Sequence, residues 1–316
     1  MTTVICIDGG VGRAITAIPA LLKYAKKHPK EDWYVTVAGW DFMYWGIPEL
    51  QKRTFNPETK GIFENIFWNA DKVITPEPYK VPKYYRHEIS LAEAFDIEIN
   101  GTDDHSDLPE PVFKPSYAEI LKGKEHIHKA KCAQGKEKTI IIQPYGSTAA
   151  LYPIGVFDDS LRSIPQAMYM TLLEKLMQDY NVIYFGHGEL YDAKSYRPDP
   201  DMNLREWAAA IAQADYFIGC DSCGQHFARA MNKRATVVIG GTHEKNISYP
   251  DHFQIIKRHM PLEPAPMRIS WTQPHLANRL NEPRIDFTYE EIEETYKAIV
   301  AAIEYKEPEL KQVEVV

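Results

Sequence analysis

The chain has 316 residues, of which 44% are hydrophobic and 25% are charged, and its formal net charge is −8. This length is long for one hydrophobic core and indicates two domains of a globular protein. The sequence contains no apolar run long enough to insert across a bilayer, and its acidic total charge argues against general nucleic-acid binding.

The start of the chain and its cysteines bear on its compartment. The N-terminus leads directly into a predicted strand, so we expect neither a signal peptide nor a transit peptide. The four cysteines, at positions 6, 132, 220 and 223, lack the spacing of a disulfide framework. We therefore expect a reducing, cytoplasmic setting, which is the host cytoplasm if the chain is phage-encoded.

The first predicted strand, Val4–Ile7, leads through a glycine-rich turn into a predicted helix, Ala14–Lys27. Such turns often hold phosphates, because backbone N–H groups and the helix N-terminus point at the anion. The spacing does not fit a dinucleotide fingerprint, since counting from Gly10 places Ile15 at the last small-residue position. The turn is either a site for another phosphate or a tight corner in which glycines relieve strain.

The rest of the chain alternates short runs rich in Val, Ile and Tyr with helical patterns, which predicts an α/β fold with parallel sheets. Further strands are predicted at Tyr34–Ala38, Lys72–Thr75, Thr139–Gln143, Val182–Phe185, Tyr216–Gly219 and Ala235–Ile239. Further helices are predicted at Gln166–Asp179, Leu204–Gln213, Gln225–Met231 and Tyr289–Ile303.

Charge is distributed unevenly along the chain. Residues 114–138 carry seven Lys against three Glu, together with His126 and His128. Within this stretch, 122–138 is predicted to be an interdomain linker, either without regular structure or with a helix. A cationic strip of this kind is a feature that binds nucleic-acid phosphates.

Small-residue turns follow the strands of the second half, where the carboxyl ends of parallel strands bind ligands. Together with Arg162 and Leu204, these turns would form one wall of a cleft between two domains. The turn residues are Ser147, Thr148, Gly186, His187, Gly188, Glu189, Asp221, Ser222, Cys223, Gly224 and His226.

These motifs occur in the order found in the lipopolysaccharide heptosyltransferases, and the chain resembles that family best over 139–242. In the family an Asp-Ser/Thr-Gly-x-x-His turn holds the diphosphate and the sugar of the donor. Here Asp221, Ser222 and His226 stand at the matching spacing, with Cys223 in place of the glycine.

Three further elements carry the resemblance. Arg162–Pro165 matches a Lys-x-Trp-Pro element, although its separation from Ser147 is long. Gly186–Glu189 matches a glycine-rich strand end with an acid for the donor ribose, and Glu189 is either that acid or a solvated loop residue. Gly12–Leu21 matches an N-terminal element.

The resemblance implies the GT-B fold, in which two Rossmann-like domains face an interdomain cleft with their parallel sheets. We expect an acceptor-side domain over 1–130 and a domain binding the nucleotide-sugar donor over 131–316. The last helix, 289–303, is expected to pack back on the first domain. On the donor side we expect Arg162, hydroxyls and the amides at 222–224 to neutralise the leaving diphosphate.

The acceptor side departs from the family. The family's proposed catalytic base is an Asp where this chain has Arg13, and arginine stays protonated. Asp8 could supply the carboxylate, or it could only cap the turn, and the next candidate is Asp221 or an acid in the 88–110 region. Arg13 either binds a phosphate or pairs with Asp8. Gly10 and Gly12 would let the first turn approach the reacting centre.

Three aromatic residues follow the second predicted strand. Trp40, Tyr44 and Trp45 are either core residues or a stacking platform for the acceptor.

No metal or other cofactor is expected beyond the nucleotide-sugar co-substrate. The donor half has no Asp-x-Asp pair at a strand end, and Asp199 and Asp201 stand in a proline-rich loop. An alternative is that Cys220-x-x-Cys223 with His226 forms a metal or redox site, but no second ligand pair stands near it. His226 could also cap or pack within a helix.

The sequence therefore predicts a metal-independent glycosyltransferase that moves a sugar from a nucleotide-diphosphate donor to a hydroxyl. For the acceptor we favour 5-hydroxymethylcytosine in double-stranded phage DNA, because the cationic strip is compatible with it. The alternative acceptor is a saccharide of the lipopolysaccharide core. A second alternative is a sugar-nucleotide epimerase or a non-catalytic binder with the same fold.

Overall fold

The structure is a computed structural model that describes residues 1–153, 155–158, 160–186, 194–257 and 287–305. Within these residues the chain forms two α/β units, each built on a parallel sheet. Each unit contains the alternation of strand and helix that the sequence predicts.

The N-terminal unit contains a four-stranded parallel sheet in the order β3-β2-β1-β4. Its strands are β1 (Thr2–Ile7), β2 (Asp32–Val37), β3 (Thr54–Phe55) and β4 (Lys72–Ile74). Its helices are α1 (Val11–Lys27), α2 (Pro48–Gln51), α3 (Pro82–Tyr85) and α4 (Leu91–Asn100). The apolar face of α1 is fully buried at Ile15, Ile18 and Leu21, and it packs against α4.

The second unit contains a five-stranded parallel sheet in the order β11-β10-β9-β5-β8 and a separate antiparallel hairpin, β6-β7. Its strands are β5 (Thr139–Gln143), β6 (Ala150–Tyr152), β7 (Gly155–Phe157), β8 (Asn181–Tyr184), β9 (Tyr216–Cys220), β10 (Ala235–Ile239) and β11 (Gln254–Lys257). Its helices are α5 (Tyr117–Gln134), α6 (Gln166–Asp179), α7 (Leu204–Gln213), α8 (Cys223–Ala230), α9 (Glu244–Ile247) and α10 (Tyr289–Glu304). Strands β5, β8, β9 and β10 are buried along their whole length, as their apolar runs require.

The lysine-rich stretch is a helix of the second unit and not a linker. Ser116 and Glu119 form a capping box at the start of α5, and Gly135 ends the helix with a φ of 74°. α5 packs on α7 so closely that a Cβ at Gly123 would lie 2.8 Å from the backbone of Ala209. The predicted boundary at residue 130 therefore falls inside a helix, and the change of unit precedes α5.

The C-terminal helix packs on α6 of its own unit, which corrects the expectation that it returns to the first. Ile292 and Ile299 of α10 are buried in the same core as the apolar face of α6. Lys175 pairs with Glu293 at 2.7 Å, and the hydroxyl of Tyr180 donates to Glu304 at 2.9 Å. Both contacts join α10 to the end of α6.

Candidate functional site

A cleft of about 960 Å³ lies between the two units. It is lined by residues that follow β1 and β2 of the first sheet and β5, β8 and β9 of the second. The turns that the sequence places at strand ends therefore meet in one cavity. The predicted site residues that line it are Asp8, Gly10, Gly12, Arg13, Trp40, Ser147, Thr148, Arg162, Gly186, Leu204, Asp221, Ser222, Cys223 and His226.

Of the three predicted acceptor aromatics, only Trp40 lines the cleft, where its indole N–H donates to the Gly9 carbonyl at 3.0 Å. Tyr44 is a core residue, fully buried, and its hydroxyl donates to the Ala14 carbonyl at 2.8 Å. Burial raises the pKa of Tyr44. Trp45 is 52% exposed on a surface outside the cleft. Tyr44 is the last residue of a short 3₁₀ turn, 41–44, that ends with two buried side chains, and Trp45 follows that turn.

Arg13 and Asp8 form an ion pair beside the cleft. The Arg13 Nη2 lies 3.0 Å from the Asp8 carboxylate, and Nη1 lies 3.3 Å from the carboxylate of Glu77. The guanidinium is 4% exposed and packs over the ring of Tyr79. The pairing alternative for Arg13 is thus confirmed. The Asp8 carboxylate keeps 28% of its surface exposed, and Asp8 lines the cleft.

Gly12 makes room for a side chain of the other unit. A Cβ at Gly12 would lie 3.1 Å from Cδ2 and 3.3 Å from Nε2 of His226 on α8. Such a contact is tighter than carbon atoms normally accept. A glycine is therefore favoured at position 12 because His226 of the other unit packs against it.

Asp158 is a central residue of the donor-side wall that the sequence analysis did not single out. It accepts hydrogen bonds from Thr148, Ser160 and Ser163. Burial by itself would raise the pKa of the Asp158 carboxyl, but these hydroxyl donations, with Arg162 nearby, hold it below its usual value. Asp158 is therefore a buried anion that fixes the hydroxyls of this wall.

Arg162 is held at the edge of this network. Its Nε donates to Ser160 at 3.0 Å, and its Nη2 donates to Thr148 at 3.2 Å. The long separation between Ser147 and Arg162 is occupied by the hairpin β6-β7. The two predicted donor-binding elements therefore come together despite their spacing.

The turn after β9 is held by side chains of neighbouring strands. Asp221 accepts from Thr242 at 2.9 Å, and burial raises the pKa of its carboxyl against the opposing charge of Arg162. The Gly224 amide donates to the side chain of Gln143 at 2.9 Å.

Two of the three amides expected to bind the diphosphate already donate hydrogen bonds within the protein. The Ser222 amide donates to the Cys220 carbonyl at 2.8 Å, and the Gly224 amide donates to Gln143. Gly224 itself does not line the cleft.

An aromatic and aliphatic wall lies at one side of the cleft. Phe185 and Trp207 stack with their ring centroids 4.1 Å apart, and Met202 and Leu204 line the cavity beside them. Only Leu204 had been predicted here. Phe185 and Trp207 are not distinguishable from core residues in the sequence, because single aromatic residues in a helix or at a strand end are usually buried in the core.

Three predicted donor-side residues, His187, Gly188 and Glu189, lie outside the described residues. Among the residues that are described, no group of three or more His, Cys, Asp or Glu side chains could hold a metal ion. Cys220 is buried, Cys223 is half-buried, and both are free thiols. Burial raises the pKa of each thiol, so neither has the character of a reactive thiolate.

Acidic residues of the protein pair with some of the lysines in the stretch 114–138. Lys122 and Lys129 each pair with Glu125 and also lie within 3.8 Å of Asp199. Lys138 pairs with Glu304 at 2.5 Å. The charge that favoured DNA is thus partly neutralised within the protein. In the described part of the chain, no helix is long and apolar enough to cross a membrane.

Comparison with solved structures places the fold. The chain matches a glycosyl transferase family 9 protein from Veillonella parvula with a TM-score of 0.68 and 11% identity, covering 96% of this chain and 97% of the other. It matches the ADP-heptose lipopolysaccharide heptosyltransferase II of E. coli with a TM-score of 0.59 and 14% identity, over 96% and 98% of the two chains.

A further E. coli heptosyltransferase, solved with ADP, matches with a TM-score of 0.51 and 14% identity over 96% and 99% of the chains. These matches span both units, and they show that the chain has the GT-B fold of glycosyltransferases, as the sequence predicts. No family model matches the chain, and no curated protein matches it in sequence.

Proposed function

We propose that the protein is a glycosyltransferase that uses a nucleoside-diphosphate sugar as donor. The observation that carries the proposal is the cleft, because it brings the partly exposed Asp8 carboxylate of the first unit together with an arginine and a set of hydroxyls of the second. The whole-chain match to glycosyltransferase structures supports it. Glycosyl transfer needs both a group that takes a proton from the acceptor and cations or donors for the leaving diphosphate.

On the donor side, Arg162, Ser147 and Thr148 would hold the diphosphate. A guanidinium forms charge-assisted hydrogen bonds with phosphate oxygens, and the buried Asp158 keeps Thr148 in place. The nucleobase would lie against the apolar wall of Phe185 and Trp207, which suits a flat ring. An adenine nucleotide is the first candidate, since a structural neighbour was solved with ADP.

On the acceptor side, Asp8 would take the proton from the attacking hydroxyl. The hydroxyl oxygen forms a bond to the anomeric carbon, and the bond from that carbon to the diphosphate oxygen breaks. Its electron pair leaves with the diphosphate, next to Arg162. Asp8 fits this role better than Asp221, because both oxygens of Asp221 already accept from Thr242 and Gln225.

A saccharide is the proposed acceptor. The structural neighbours named above include a heptosyltransferase of lipopolysaccharide, and the ion pairs of Lys122 and Lys129 neutralise part of the charge that α5 would offer a DNA backbone. The preference for 5-hydroxymethylcytosine in phage DNA is therefore not supported, and we replace it with the alternative acceptor of the sequence analysis.

Calorimetry with ADP and UDP tests the donor site directly. Arg162→Ala should weaken nucleotide binding by about 1.5–3 kcal/mol, as expected for the loss of a charge-assisted contact. Arg86→Ala is the matched control, because Arg86 is exposed and pairs with Glu88 outside the cleft. Equal affinities of the wild type and Arg162→Ala would contradict the assignment.

Incubation with labelled nucleotide sugars, with and without saccharide acceptors, tests the reaction. We expect release of the nucleoside diphosphate and labelling of the acceptor. Binding of the nucleotide sugar without release would indicate a non-catalytic binder. Conversion of the sugar without release of nucleotide would indicate an epimerase.

A further inference from the structure

The imidazole of His226 is held between the two units. On one side of the ring, Nδ1 lies 2.9 Å from the hydroxyl of Tyr249. On the other side, Cδ2 and Nε2 face Gly12 of α1, at the wall of the cleft. Tyr249 lines a separate cavity of about 350 Å³ behind the ring. The two ring nitrogens therefore face different surroundings.

The ring of His226 is neutral at ordinary pH. The residue is 6% exposed, and burial lowers the pKa of its imidazole to about 4. A neutral imidazole carries one N–H group and one lone pair, and the hydrogen bond at one nitrogen decides which nitrogen has the proton. Tyr249 is the partner that makes this choice.

The hydroxyl of Tyr249 donates its hydrogen bond to Nδ1 of His226, as the surroundings of the phenol indicate. Burial raises the pKa of Tyr249, so the phenol keeps its proton. In the described part of the chain its only hydrogen-bond partner is Nδ1 of His226, while Arg229 lies over the face of its ring. If Nδ1 carried the proton, the phenolic O–H would have no acceptor among the described side chains, whereas donation to Nδ1 pairs both groups. Nδ1 is therefore the acceptor.

We propose that Tyr249 is a positioning residue that fixes the tautomer of His226, so that its Nε2–H is a neutral hydrogen-bond donor to an oxygen of the bound donor substrate. Among the residues the structure describes, the hydrogen bond of the His226 ring is the one at Nδ1, and His226 lines the cleft. A phosphate or sugar oxygen is the matching acceptor. In this arrangement His226 neither takes the acceptor's proton nor carries a positive charge.

The tautomer can be observed without any substrate. In long-range ¹H–¹⁵N spectra of histidine-labelled protein, the signals that vanish in His226→Gln belong to His226. We expect the wild type to show an unprotonated Nδ1 and a protonated Nε2, and Tyr249→Phe to shift both signals towards a mixture of tautomers. Tyr216→Phe is the matched control, because it removes a buried hydroxyl that bonds Thr236 instead.

A protonated Nδ1 in the wild type would overturn the proposal, even if the variant failed to fold. An unchanged His226 spectrum in a folded Tyr249→Phe protein would overturn it as well. Spectra of the free protein therefore test the tautomer assignment without any substrate.

The consequence for binding rests on the proposed function. Tyr249→Phe should raise the Kd of the nucleotide sugar roughly 3- to 10-fold, the loss of about one hydrogen bond, while Tyr216→Phe leaves it unchanged. In a His226→Ala background the Tyr249→Phe effect should vanish, because there is no ring left to position. A full effect of Tyr249→Phe in that background would contradict the positioning role. Failure of the wild type to bind any nucleotide would contradict the proposed function and leave the tautomer assignment intact.

Discussion

Acid should destabilise this protein through His226. The pKa of the imidazole falls from 6.5 to about 4 on folding, so the unfolded chain binds a proton at pH values where the folded chain does not. The stability that the neutral His226 contributes is fully present above the pKa of the unfolded state. It is lost as the pH falls towards the lower pKa of the folded state. One pKa unit corresponds to about 1.4 kcal/mol, so the free energy of unfolding should drop by about 2 kcal/mol between pH 7 and pH 5.

The measurement is urea unfolding, followed by tryptophan fluorescence, at several pH values between about 7 and 5. Other titrating groups contribute to the slope, so the comparison is with His226→Gln, which cannot take up the proton. The variant should lose about 2 kcal/mol less than the wild type over this range. His128→Gln, at an exposed position on α5, should behave like the wild type. Equal slopes for His226→Gln and the wild type would refute the reasoning.

Three further predictions concern the cleft. Asp8→Asn should reduce kcat by about 10²–10⁴ with little change in donor affinity, because the donor is bound by the other unit, and near-normal turnover would exclude Asp8 as the base. Gly12→Ala should weaken nucleotide binding in calorimetry, although alanine favours a helix by about 1 kcal/mol, because its Cβ would press on His226 at 3.1 Å. Compared with His226→Ala, the double variant Gly12→Ala/His226→Ala should show no additional loss of binding, and an additional loss would place the cause elsewhere. Cys223→Ser should keep transferase activity, and EDTA should not abolish it; loss of activity restored by a divalent ion would contradict the metal-free mechanism.

Capping residues in the sequence mark both ends of α4 and α5, two helices that the predicted elements do not include. Ser90 with Glu93, and Ser116 with Glu119, form the capping boxes that begin α4 and α5. Their spacing is legible in the sequence, and Gly101 ends α4 with a φ of 64° just as Gly135 ends α5. The many lysines of the stretch 114–138 are typical of a linker, whereas its capping residues are typical of a helix, which is what the structure contains.

The roles within the cleft depended on contacts that spacing does not encode. The sequence leaves Arg13 open between a phosphate and Asp8, and the structure shows the pair with Asp8 together with a contact to Glu77 from a later loop. Trp40 and Tyr44 share one short turn, yet only one of them faces the cleft. Asp158 follows a hairpin whose strands are too short to give a periodic pattern.

The sequence by itself determined the alternation of strands and helices, the parallel sheets and the turns at their carboxyl ends, because these follow from local patterns of apolar residues and glycines. The tertiary structure alone decided which turns meet, that α10 stays with its own unit, and why Gly12 has no side chain. Those outcomes depend on residues far apart in the chain, such as Gly12 on α1 and His226 on α8, which meet only when the two units pack together.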